Sequence, residues 1–232
     1  MLGIRQTLSA AAAVLLLAGT VHAAEVFTIS SSSFKDGALL PKNMAGSNKT
    51  NPNCVGDNVS PALSWSNVPA GTTSFALVMT DPEGRGTGVD HWIAYGIPAS
   101  VTSFAEGETS KPSDKYIGGI GTAKQSIYMG PCTPPGSPHH YTFVLIATDL
   151  DPKALPAGLT KLELFDKLNG HVKGSTGIIG LFKNPYCRFR IRGCNREEFD
   201  RSVTHQSPPV ADTGVGREHR TLVCAHNLPC LR

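Results

Sequence analysis

Apolar and polar positions along this chain come in short runs more often than at helical spacing. Residues 75–80 (FALVMT) form an apolar run of the length that fills a buried strand. Asp81-Pro82-Glu83-Gly84 breaks the run with turn chemistry, and polar sequence continues to Asp90. His91-Trp92-Ile93-Ala94-Tyr95 then enters a second strand, with Trp92 assigned to the core. If the two strands pair, Asp81 and His91 share one end of a sheet. Residues 141–148 (YTFVLIAT) make the clearest strand, rich in β-branched and aromatic residues. Weaker strands are expected over 25–33, 62–65 and 177–182, while 100–121 reads as loop. Thr160-Lys161-Leu162-Glu163 has the spacing of a capping box. Leu162, Phe165 and Leu168 supply one apolar helical face, which Asn169-Gly170 ends. Many short strands, frequent turns and a short helix predict a mainly β sandwich.

Both ends of the chain depart from this pattern. Arg5, the apolar stretch 8–18 and Val21-His22-Ala23 have the charge, length and small-residue pattern of a secretory signal peptide over residues 1–23. No cysteine follows the apolar stretch as a lipid anchor would need, and no later segment is apolar enough to span a membrane. The expected mature protein is periplasmic or secreted, where disulfides are permitted. A domain is expected over 24–184, and 185–232 reads as a disordered or non-homologous Arg- and Cys-rich tail. Residues 25–184 carry 11 Lys and 1 Arg against 13 Asp and Glu, whereas the tail carries 8 Arg and no Lys against 5. The near-neutral domain has no nucleic-acid footprint.

Two loops concentrate the candidate chemistry. The first is Asp81-Pro82-Glu83-Gly84 leading to His91-Trp92 and Ile97-Pro98. The second runs from Gly130-Pro131-Cys132 through Thr133-Pro134-Pro135-Gly136 to His139-His140-Tyr141. Together with Asn58-Val59-Ser60-Pro61, Leu63 and Trp65, these motifs resemble the phosphatidylethanolamine-binding protein family, whose bacterial branch is called Raf kinase inhibitor-like. The resemblance covers roughly residues 26–183. It implies an antiparallel β-sandwich with one or two short helices and a small anion pocket at one end. By motif, Asp81, His91, His139 and Tyr141 fall on ligand-binding positions. Pro82, Gly130, Pro131, Pro134 and Pro135 fall on the pocket wall. Two residues depart from the family pattern: Thr133 interrupts a Cys-Pro-Pro run, and His140 stands where Arg is common.

The residue chemistry agrees. Imidazoles and loop N–H groups can donate to phosphate oxygens. His91 and His139 are expected to titrate near neutrality and to strengthen anion binding when protonated. Asp81 suits orienting a histidine or accepting from a ligand ammonium or hydroxyl, and Tyr141 can donate. The same residues invite a phosphoester hydrolase, but no Gly-x-Ser-x-Gly elbow is present, and Ser60 and Ser137 read as ordinary loop residues. Two His and one Asp could bind zinc, yet no H-E-x-x-H-like spacing supports a metal site. The expectation is a non-catalytic binding protein without cofactor. Its partner would be a small anionic or phosphorylated ligand, with an interaction or inhibitor module acting on an envelope or host protein as the alternative. Cys54 and Cys132 are the only cysteines of residues 25–184, and each lies in a loop beside a family motif. They are expected to form a disulfide in an oxidising compartment, the alternative being two buried thiols. The spacing of Cys187, Cys194, Cys224 and Cys230 fits no usual zinc finger.

Overall fold

A computed structural model of the chain describes residues 25–185. The expected signal peptide and the tail beyond Pro185 lie outside the described residues. The strands are β1 (Thr28–Ser30), β2 (Ala38–Leu39), β3 (Leu63–Ser66), β4 (Ser74–Asp81), β5 (Val89–Pro98), β6 (Ser103–Phe104), β7 (Ile117–Gly118), β8 (His139–Thr148) and β9 (Val172–Phe182). Helix α1 (Lys161–Leu168) precedes β9. The strands form a three-stranded sheet, β1-β3-β6, and a six-stranded sheet, β2-β9-β8-β4-β5-β7.

The apolar run of β4 is buried on both faces, which explains why it does not alternate with polar residues. Phe75, Leu77 and Met79 point between the sheets, where Trp92, Phe143 and Leu145 join Trp65 and Phe104 from the smaller sheet. Ala76 and Val78 point the other way, to a second cluster with Ile93, Tyr95, Ile146, Leu164 and Leu168. The central strands are therefore covered by a sheet on one side and by α1 on the other.

The mainly β sandwich forms as expected with one parallel pairing added, and two expectations need correction. Among pairings of the described strands, β2 with β9 is parallel, while the others are antiparallel. Residues 100–121 are not all loop, since β6 and β7 extend the two sheets. The buried face of α1 is Leu164 with Leu168; Leu162 is 78% and Phe165 43% exposed. Both sets have helical spacing, and packing against the six-stranded sheet selects the i,i+4 pair. The capping box forms as expected, with reciprocal Thr160 and Glu163 bonds.

Candidate functional site

Strand pairing brings the rim together. Thr80 lies opposite Thr142 of β8 and Asp90 of β5, so Asp81, the start of β8 and the start of β5 meet at one sheet end. Asp81 continues the inward set Phe75, Leu77 and Met79, and Tyr141 continues Phe143 and Leu145. One oxygen of Asp81, Oδ1, accepts from the N–H groups of Glu83 (3.0 Å) and Gly84 (2.9 Å). Asp81 is thus a turn former as well as a rim residue. A Cβ at Gly84 would come within 2.6 Å of Val89 Cγ2, so this tight turn needs glycine. The other carboxylate oxygen, Oδ2, accepts from His139 Nδ1 at 2.8 Å. The Asp81 side chain is 5% exposed and that of His139 20%, so the imidazole is the member of the pair that reaches solvent. Its Nδ1 proton is committed to Asp81, and Nε2 is the atom left to meet a ligand.

His91, near the start of β5 at the same sheet end, is 3% exposed. Its Nδ1 donates to the Met129 carbonyl at 2.9 Å; a carbonyl only accepts, so Nδ1 carries the proton. The ring meets Tyr141 edge-on, with centroids 5.1 Å apart. Burial pushes the His91 imidazole below its ordinary range, and the Met129 hydrogen bond and Asp81 charge push back only in part. This corrects the expectation that His91 is charged near neutrality. The Tyr141 hydroxyl shares a 2.6 Å hydrogen bond with Thr133 Oγ1. Burial raises its phenol above the ordinary range despite that bond, and the Asp81 charge adds to the rise. The Tyr141 hydroxyl is therefore a neutral hydrogen-bonding group.

The wall is held from two directions. The side chain of Asn58 accepts from Gly130 N–H at 2.8 Å and donates to the Tyr128 carbonyl at 3.1 Å. A Cβ at Gly130 would lie 2.0 Å from the Met44 carbonyl, so only glycine permits this approach. Cys54 and Cys132 form a disulfide, with Cα atoms 4.3 Å apart and a sequence separation of 78. Asn184 donates to the Thr133 carbonyl at 3.0 Å. Pro131 is buried in this wall, whereas Pro82 and Pro134 are exposed and Pro135 is half-buried.

A second pair flanks the first. His140 Nδ1 and its backbone N–H donate to the two oxygens of Glu83, at 2.6 and 3.2 Å. Limited burial raises the Glu83 carboxyl, but the His140 hydrogen bonds outweigh it and hold the group below the ordinary range. Asp81, Glu83 and His139 offer ligand atoms within 4.8 Å of one another, close enough to surround one divalent cation. All four carboxylate oxygens accept hydrogen bonds, two from backbone N–H groups and two from the imidazoles of His139 and His140. A separate concavity of about 380 Å³ lies against β7, lined by Tyr116, Gly118, Ile120 and Ser126, and contains none of the rim residues.

Sequence reasoning named Asp81, His91, His139 and Tyr141, and all four converge here. It passed over the roles of Thr133 and Glu83. Thr133 was visible as a departure from the motif, but its pairing with Tyr141 depends on a loop conformation. Glu83 beside Asp81 and His140 beside His139 form a double carboxylate–imidazole pattern that could have been noticed.

A two-sheet β-sandwich with a carboxylate–histidine rim at one sheet end defines the class. Residues 30–183 match the phosphatidylethanolamine-binding protein family, and the chain belongs to it. A UPF0098 protein of Aquifex aeolicus is 33% identical over 160 residues, covering 68% of this chain and 89% of that protein. A Mycobacterium tuberculosis protein named as a lipoprotein, LppC, is 35% identical over 162 residues, covering 69% and 74%. The crystal structure of Escherichia coli YbcL, described as a member of the mammalian family, superimposes with a TM-score of 0.60 at 29% identity. That match covers 68% of this chain and 98% of YbcL.

Proposed function

We propose that this chain is an exported binding protein whose rim takes a small anion, phosphate or a phosphorylated headgroup, without covalent chemistry. The observation that carries the reading is the Asp81–His139 pair. A carboxylate fixed by two backbone N–H groups orients a part-exposed imidazole, whose Nε2 is left to meet a ligand. Preorganisation of this kind on strand ends suits binding of a small ligand. The Thr133 and Tyr141 hydroxyls at the rim hydrogen-bond each other, and Tyr141 also meets Asp81, an arrangement suited to holding a ligand. Export is supported by the pattern of residues 1–23 and is compatible with a relative named as a lipoprotein. No helix of the described residues is long and apolar enough to cross a membrane.

Calorimetric titration of the full chain with phosphate and phosphoethanolamine tests the reading. His139→Ala is expected to weaken binding at least about tenfold, since a hydrogen bond involving a charged group contributes about 1.5–3 kcal/mol, and to leave the fold intact. Unchanged affinity in that variant removes His139 from the site. Purified protein assayed with a phosphoester, with and without zinc, is expected to give no turnover.

A further inference from the structure

We propose that the outer face of the six-stranded sheet is an interface with a second copy of this chain, each copy laying the exposed flank of α1 on the bare β8–β9 strands of the other. That face lies away from the sandwich core, and its use does not depend on the anion-binding reading.

Strand geometry sorts the exposed residues. Among the described residues six large apolar side chains are exposed, and four of them, Leu39, Leu162, Phe165 and Ile179, stand on this one face. Ile179 pairs with Thr142, one position on from the buried Ile178–Phe143 pair, so it points outward. Leu39 lies beside Leu181, while its neighbour Leu40 joins the core between the sheets. Helix α1 covers the other half of the same face, over Ala76, Val78, Ile93 and Ile146. Glu163 bonds back to Thr160 beside the Tyr95 hydroxyl of β5. Phe165 stands about 200° further round the helix, on the flank toward β8 and β9.

What α1 leaves bare is apolar where a solvated sheet face is normally polar. Thr142 and Val144 of β8, Gly177, Ile179 and Leu181 of β9, and Leu39 of β2 follow one another across neighbouring strands, with no charged side chain among them. Gly177 has no side chain to set opposite Val144, which leaves a dip beside Ile179. Phe165 on the helix of a second copy is a knob that can enter it. One molecule thus carries both halves of a contact, an exposed helix ridge and an uncovered sheet surface. A two-fold axis satisfies both at once, because each residue of one copy then meets its counterpart's partner on the other. The exposed side chains present on the order of 400 Å² of apolar surface, comparable to the apolar part of a standard homodimer interface, which is about 65% of about 800 Å² per partner. A lipid surface fits less well. Membrane-seeking helices flank their apolar face with unpaired Lys or Arg, whereas Lys161 is paired with Asp90 at 2.6 Å and Lys167 adjoins Asp166.

Sedimentation velocity of the full chain over a micromolar concentration range tests this, and a monomer–dimer equilibrium is expected. Phe165→Glu and Ile179→Glu should each raise the dissociation constant at least about a hundredfold, since one substitution enters a two-fold interface twice. Near-UV circular dichroism should be unchanged in both, because both side chains are already exposed in the single chain. Val26→Glu, exposed beside the smaller sheet, should leave the dimer intact. The reciprocal geometry has its own readout. Phe165→Lys and Ile179→Glu chains, each monomeric alone, should form a heterodimer when mixed, because opposite charges then face each other across one half of the interface while the other half keeps Phe165 against Ile179. A monomer at all concentrations, a dimer that survives both Glu substitutions or is lost equally in Val26→Glu, or a mixture that stays monomeric overturns the proposal. A monomeric chain that pellets with phosphatidylcholine vesicles, and no longer does so as Phe165→Glu, assigns the face to a lipid surface and likewise overturns it.

Discussion

At the scale of single residues, the Tyr141 phenol and the Thr133 hydroxyl share a buried hydrogen bond, and the phenol also meets the Asp81 carboxylate. Thr133→Val keeps the shape and removes one partner of a buried phenol that also hydrogen-bonds with Asp81. The expected loss is about 1–3 kcal/mol, read from urea unfolding with unchanged slope. His91 sets an acid limit on stability. Its folded imidazole lies below the ordinary value of 6.5, so the unfolded chain takes up the proton first as pH falls. This contribution is fully present above about 6.5 and declines as pH drops through and below it. The stability difference between the parent and His91→Asn should therefore narrow between pH 7 and pH 5, and a constant difference would contradict a buried neutral ring.

At the scale of elements, α1 shows how two helical faces compete. Leu162, Phe165 and Leu168 have good spacing, but Leu164 and Leu168 make the contact with Ala76, Val78, Ile93 and Ile146. Leu164→Ala should cost about 2–5 kcal/mol, as deletions in well-packed cores do, while Leu162→Ala should change stability by less than about 0.5 kcal/mol. Thermal or urea unfolding of the two variants checks the assignment; equal effects would reverse it. The rim depends on elements more than on loops, because Asp81, His91, His139 and Tyr141 all lie within strands β4, β5 and β8. Strand pairing sets their relative positions, which limits adjustment to the ligand.

At the scale of the whole molecule, the Cys54–Cys132 disulfide joins the polar loop before β3 to the wall before β8. With a sequence separation of 78 between the cysteines, the chain-entropy account gives a stabilisation of about 4–5 kcal/mol. Reduction should lower the thermal midpoint and weaken anion binding together, since Cys132 adjoins Thr133 and Gly130 stands two residues before it. A reduced protein with the parent's midpoint would show that packing alone holds the wall.

Local chemistry in the sequence carried a large part of this. Strands β4, β5 and β8 were legible because central strands covered on both sides must be apolar along their length. The helix start was legible because a capping box is built from four consecutive residues. The motif pairs around Asp81 and His139 identified the family and the rim. What depended on contacts between distant residues was not legible: the parallel β2–β9 pair, the short strands β6 and β7, the buried face of α1, and the Thr133–Tyr141 bond. The protonation of His91 belongs to the same group. An isolated imidazole titrates near neutrality, and only burial at the sheet end with the Met129 carbonyl at Nδ1 decides that it stays neutral and which nitrogen keeps the proton. Sequence determined which groups stand at the rim; tertiary structure decided their charge and partners, because desolvation and hydrogen bonding are properties of the folded surroundings.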